Sequence, residues 1–297
     1  MKQDILNYFS NINTRTKGII VALLGAILMS FDPIFIRFSG VGGFDTIFLF
    51  GLFTAISMSA LVQLREKRSI VQLIRTNGWP LIIPSFLMLG SASAFVLSVK
   101  NTSVANTFII LSATPAIAAL ISWIVLKEKT NSATWLAILF VIIGVFIVVN
   151  GSFDSGNWKG DLLAFVSVLC LSVMFTILRK YSKVNRFTVV ALGGFFLAFV
   201  MFFFAKPSSY SIHTWIIMAA MGLFSAPLGR VLSMIATRYA TASEISLTLM
   251  FQNVLAPILA FIFFNEVPNT KSLIGGGIIF LTIVLYIINL SKQSTKK

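Results

Sequence analysis

Three ionisable residues of this chain fall inside long apolar stretches: Asp32, Arg230 and Glu244. A charge at mid-bilayer costs at least ~2.5–3.5 kcal/mol on insertion scales, so each is a candidate for binding, proton transfer or ion pairing. Two neutral polar clusters accompany them, Ser112 and Thr114 beside Pro115, and Gln252 and Asn253 ahead of Pro257. Proline removes a helical amide donor and frees a carbonyl, and hydroxyls and amides beside such a break suit a small polar ligand. The candidate substrate-binding residues are therefore Asp32, Ser112, Thr114, Arg230, Gln252 and Asn253. Asp32 adjoins Pro33 and its short side chain cannot snorkel far, so it is expected to bind a proton or a cationic ligand group, the alternative being a local cap or a pair with Arg37 at the outer rim.

Helix heights decide which charges could meet. At ~1.5 Å rise per residue, Asp32 lies about 22 Å beyond Lys17 and Arg230 about 22 Å beyond Trp215, counted from opposite membrane faces. Straight helices then separate the two by roughly 14 Å in depth. Arg230 and Glu244 instead lie at similar height on consecutive antiparallel spans, and the expected gating or ion pair is Arg230 with Glu244.

These residues need membrane helices to hold them. The chain has 297 residues, 57% hydrophobic and 11% charged, against about 25% charged in a soluble domain. Apolar runs of the ~20 residues that cross a bilayer are read at 17–37, 44–64, 79–99, 103–126, 133–150, 160–178, 187–205, 214–236, 243–264 and 272–290. With the N-terminus inside, Arg37, Lys100, Lys159, Lys206 and Lys271 fall outside. Apart from Arg230, every other Lys and Arg falls inside. This positive-inside bias places both termini in the cytoplasm and the chain in the cytoplasmic membrane as a multi-pass protein. The net charge of +14 is scattered between spans, unlike the continuous basic patch of a nucleic-acid binder.

Lys17-Gly18, Ser30 and Arg37 recur as Lys159-Gly160, Ser172 and Arg179, at an offset of 142. Lys100, Ser103, Thr114 and Glu128 match Arg238, Thr241, Gln252 and Glu266, at an offset of 138. Five spans per repeat invert the second copy relative to the first, the plan on which many secondary transporters build a midplane site. The fold expected is an all-α membrane protein of ten transmembrane helices in two inverted five-helix repeats. Its parts are a cytoplasmic segment 1–16, repeats 17–149 and 159–290, an external linker 150–158 and a cytoplasmic tail 291–297. The loop 65–78 is longer than 206–213 and absorbs the drift between the offsets.

The ten-span layout in two five-helix halves, the Lys-Gly opening and the Arg closing each half's first span, and the run from Ser112-Ala-Thr-Pro115 to Glu128 resemble the EamA-type family of the drug/metabolite transporter superfamily. The resemblance covers nearly the whole chain. The second half departs from the pattern, with Asn253 where a proline is expected and Pro257 nearby. It implies a cavity lined by helices one, three, four, six, eight and nine, open to each side in turn, and a role as an exporter of amino acids or related compounds. Uptake or exchange of a cationic or zwitterionic metabolite is the alternative.

Other classes fit less well. No Gly-x-x-x-x-Gly-Lys-Ser/Thr run is present, so the expected drive is a gradient, with protons a possible partner besides substrate and lipid. One His and one Cys argue against an intramembrane enzyme, a metal site or a cofactor, so no catalytic residue is assigned. The chain has no ring of like charges typical of a channel filter. His213 reads as an interfacial anchor, and Glu128 and Glu266 read as structural residues at helix ends.

Overall fold

The structure, a computed structural model, describes residues 14–66, 70–127, 132–153, 156–181, 183–236, 239 and 248–294. Among them every regular element is helical: α1 (Thr14–Ser30), α2 (Asp32–Phe38), α3 (Gly43–Glu66), α4 (Ile70–Asn77), α5 (Trp79–Asn101), α6 (Val104–Leu111), α7 (Thr114–Leu126) and α8 (Ser132–Phe153). There follow α9 (Trp158–Lys180), α10 (Arg186–Phe202), α11 (Ile212–Ala219), a π-helical segment (Ala220–Ser225), α12 (Ala226–Ala236), α13 (Phe251–Phe264) and α14 (Thr270–Ser294). With no water in hydrocarbon, backbone groups must bond within the chain, which favours helices wherever the sequence is continuously apolar.

Seven helical stretches are long and apolar enough to cross a membrane: Thr16–Phe38, Gly43–Arg65, Trp79–Asn101, Val104–Leu126, Thr134–Ser152, Trp158–Lys180 and Ile212–Ser233. Arg186–Phe202, Phe251–Phe264 and Thr270–Tyr286 are apolar but shorter. Most helices extend a few residues beyond the runs read from hydropathy. The run 187–205 instead includes Phe203, Phe204 and Ala205, which lie beyond the end of α10. The segment 65–78, expected to be a loop, contains α4, whose Leu73 and Ile74 join apolar clusters with α3 and α5.

The interruptions follow the prolines. Pro33 sits at the start of α2, just after the turn at Phe31. Pro115 opens α7 and deprives Leu111 of its amide donor, and the Thr114 hydroxyl takes that carbonyl at 2.6 Å. Side-chain caps start other helices: Ser103 accepts from Asn106 N, Asn185 from Phe187 N and Thr188 N, and Ser211 from Thr214 N, each meeting an amide that has no partner within its own helix. α7 and α13 both end in the left-handed region, at Lys127 (φ 53°) and Asn265 (φ 52°), positions that differ by the repeat offset of 138.

The broadest helix contacts are α3 with α10, α5 with α9, α8 with α14 and α1 with α12. Without a hydrophobic drive between helices in lipid, small residues let backbones approach. A Cβ at Gly51 would lie 2.9 Å from the Gly194 carbonyl, and one at Gly25 would lie 2.8 Å from that of Gly229.

Candidate functional site

The first group lies where α1 and α2 meet the π-helical segment and α12. Asp32 is the first residue of α2 and is buried. Its Oδ1 accepts from Ser225 Oγ at 3.0 Å, and the same hydroxyl lies 2.8 Å from the Leu28 carbonyl. Arg230 lies one turn into α12. Its guanidinium lies 5.8 Å from the centre of the Phe50 ring, and Nη1 is buried without a hydrogen-bond partner.

Asp32 and Arg230 form no ion pair among the described residues, although their helices meet. α1 and α12 run antiparallel across Gly25 and Gly229, and Ser225 reaches Leu28 and Asp32. Helical side chains lean toward their own N-terminus. In an antiparallel pair the Asp32 and Arg230 side chains therefore lean toward one another, which shortens the separation read from Cα heights without joining the charges in an ion pair. Glu244, the partner expected for Arg230, lies outside the described residues.

The second group lies at the interruptions of two other helices. Ser112 ends α6, and Asn253 is in the first turn of α13. Asn253 Nδ2 donates to Ser112 Oγ at 2.8 Å, and Ser112 Oγ donates to the Phe108 carbonyl at 2.9 Å. Two candidates from opposite halves of the chain are thus in direct contact. Thr114 uses its hydroxyl on Leu111, and its carbonyl accepts from Ser172 Oγ at 3.3 Å. Gln252 is half-buried on the same turn as Asn253.

The sequence reading assigned the surrounding polar groups no joint role. Asp161, fully buried in the first turn of α9, accepts from Thr102 Oγ1 at 2.6 Å and from Asn106 Nδ2 at 3.2 and 3.3 Å, which holds the α5–α6 turn against α9. Asp45 accepts from Tyr210 Oη and Lys206 N, both at 2.8 Å. Burial first, and then the bond to Asp45, push the Tyr210 phenol above its ordinary range, so it remains a neutral donor at working pH. Arg37, at the far end of α2, pairs with Glu266 at 3.4 Å. The repeat offsets marked both Arg37 and Glu266, but no local spacing indicated that they meet. Among the described residues no group of three or more His, Cys, Asp or Glu could hold a metal.

The model of the EamA-like transporter family matches the chain twice, at residues 16–150 and 158–288. The chain belongs to this family. The uncharacterized transporter YyaM of Bacillus subtilis (strain 168) is 26% identical over 265 residues, 84% of this chain and 86% of its own length. The uncharacterized transporter sll1164 of Synechocystis sp. is 25% identical over 251 residues, covering 76% of this chain and 70% of its own. A crystal structure covering 92% of this chain and 97% of its own aligns with a TM-score of 0.65 at 16% identity, a likeness of fold alone. This EamA-like chain is accordingly a multi-pass membrane protein of a transporter family.

Proposed function

We propose that this protein is a secondary active transporter, an exporter of small metabolites such as amino acids or related compounds, working by alternating access in the cytoplasmic membrane. The observation that carries the reading is the bond from Asn253 to Ser112, which joins helix interruptions from the two family-matched segments. Inverted-repeat transporters keep their substrate near such a junction, where backbone freed from a helix and polar side chains are available. The proposed architecture is ten spans in two inverted repeats, 17–149 and 159–290, with both termini cytoplasmic. Residues 1–16, 150–158 and 291–297 are the flanking and linking segments. Arg37, Lys100, Lys159, Lys206 and Lys271 then face outward while most other basic residues face inward, as the positive-inside rule favours.

The proposed substrate-binding residues are Asp32, Ser112, Thr114, Arg230, Gln252 and Asn253, with Arg230 and Glu244 as the gating or ion pair. A second reading, uptake or exchange of a cationic or zwitterionic metabolite, draws on the opposite charges of Asp32 and Arg230, beside the same α1–α12 crossing. Untargeted metabolite profiling of cells with and without the protein, followed by flux of the responding compound in proteoliposomes, tests both. Export predicts a compound that accumulates inside cells lacking the protein and shows saturable flux in vesicles. Depletion of that compound inside such cells selects uptake, and unitary conductance without saturation overturns both in favour of a channel. Orientation is tested by a single cysteine at Ser208, exposed after α10, in a Cys170→Ala background. Labelling from the outer face alone fits the proposed topology, and labelling from the cytoplasm alone reverses it.

A further inference from the structure

Asp161 carries a carboxylate that no cation among the described residues offsets. It is fully buried, in the first turn of α9. The ion pair found among the described residues joins Arg37 to Glu266, and Arg37 bonds the Thr102 carbonyl rather than Asp161. The α9 N-terminus supplies only about half a positive charge. Thr102 Oγ1 donates to Asp161 Oδ1 at 2.6 Å, the separation of a hydroxyl from an ionised oxygen. A buried charge is otherwise paired or bound to a metal ion, and here the chain itself provides no pair.

The groups around the carboxylate carry oxygen. The Asn106 amide nitrogen lies 3.2 Å from Asp161 Oδ2, 3.3 Å from Oδ1 and 2.8 Å from Ser152 Oγ, and Ser152 also bonds the carboxylate. Thr102, Asn106 and Ser152 are all buried. Asn106 is only 5% exposed, yet its carbonyl Oδ1 has no hydrogen-bond partner. A half turn of the amide therefore loses no bond at Oδ1 and brings that oxygen beside the carboxylate and Ser152. Ligands about 2.4 Å from a calcium-sized ion stand roughly 3.4 Å apart at right angles around it. Separations in the cluster run from 2.6 to 3.3 Å, which suits an ion no larger. A single carboxylate balances a single positive charge, and sodium is the monovalent ion of calcium's size. Such an ion takes oxygen ligands, so the chain's one His and one Cys do not count against it.

The acid is not a requirement of the repeat. The offset of 142 carries Asp161 to Ile19, whereas Gly160 is matched by Gly18. A Cβ at Gly160 would lie 2.7 Å from Thr102 N, so the glycine is what brings α9 against the α5–α6 turn. Asp161 adds a charge to that close approach.

We infer that Asp161, Asn106, Thr102 and Ser152 form a sodium site, and that sodium is the coupling ion of transport. The site rests on the geometry of the cluster, and its coupling role rests on the transport reading above. Thr102 and Asn106 belong to the first family-matched segment and Asp161 to the second, so a bound ion ties the two together.

The test of the site needs no substrate. The melting temperature of the purified protein is measured in sodium, potassium and choline chloride at one ionic strength. Sodium should raise it by several degrees with a saturating dose dependence, as a ligand of the folded state does, and potassium and choline should not. Asp161→Asn should abolish the sodium effect. If that variant fails to accumulate, Ser152→Ala should raise the sodium concentration needed by about tenfold or more, the usual result of removing a group that supports a bound metal. Equal melting of the parent in all three salts overturns the site. So does a sodium effect that survives unchanged in well-folded Asp161→Asn or Ser152→Ala. Flux in proteoliposomes then separates the two parts. A sodium effect on melting with flux that ignores the sodium gradient keeps the site and rejects the coupling. Sodium binding without flux of any metabolite keeps the site and rejects the transport reading. Saturable flux with no sodium effect on melting does the reverse.

Discussion

Two helix crossings occupy corresponding places in the two halves and are built differently. In one, α1 and α12 cross at Gly25 and Gly229, one partner is interrupted at Phe31, the other is preceded by a π-helical segment, and Asp32 and Arg230 lie beside the crossing. In the other, α5 and α9 are each continuous over 23 residues. Ser91 and Ser167 face each other there with hydroxyls 3.1 Å apart. The repeat offsets carry Gly25 to Ser167, Gly229 to Ser91, Asp32 to Met174 and Arg230 to Ala92. Met174 and Ala92 are buried and apolar. A crossing of this kind therefore forms without charge or a helix break. The π-helical segment, the break and the buried charges are additions to one copy, and such departures from regular helix are frequent at functional sites.

The largest effect should come from removing one charge of the additional pair. Arg230→Leu leaves the buried Asp32 carboxylate with its Ser225 bond but no cation on α12, and an uncompensated buried charge is destabilising. Membrane abundance and melting temperature should fall sharply. The double variant Asp32→Asn with Arg230→Gln should recover abundance but not transport. Equal abundance for single and double variants would place the two charges in separate environments and dissolve the contrast between the crossings. Asp32→Asn alone should flatten the pH dependence of flux if Asp32 couples protons. Loss of substrate exchange as well would instead assign it an ammonium, and unchanged flux and pH response would leave it a local cap beside Pro33.

Sterics come next. A Cβ at Gly25 meets the Gly229 carbonyl at 2.8 Å and Ser233 Oγ at 2.9 Å, so Gly25→Leu should cost about 1–3 kcal/mol as overpacking and lower the melting temperature by several degrees. An unshifted melting curve would mean that the α1–α12 crossing is looser than described. Asn253→Ala removes one hydrogen bond, net about 0.5–1.5 kcal/mol, and should raise KM several-fold at near-normal abundance. A change in abundance with KM untouched would make the Ser112 contact purely structural. The smallest effect belongs to the regular crossing. Ser91→Ala should cost roughly 0.6 kcal/mol, the average for an interhelical side-chain bond in a membrane, and leave flux intact. A loss of flux there would show that function is shared between the crossings.

Membrane residence, the helical class and the repeated Lys-Gly, Ser, Arg and Glu positions were all legible in the chain, because they depend on local hydropathy and on spacing. So were the breaks at Pro33 and Pro115, because proline acts on its own turn. The gathering of Ser112 with Asn253 was legible as matching depth, but not as contact. Only the tertiary structure decided the partners. Asp32 meets Ser225 because two antiparallel helices cross at glycines and side chains lean toward their own N-termini, an effect that counting rise per residue omits. Arg37 reaches Glu266 because the ends of α2, α5 and α13 converge. Hydropathy sets how deep a residue lies in the membrane. Which helix it faces at that depth is set by close packing between segments far apart in sequence, and that is where the charges of this protein find their partners.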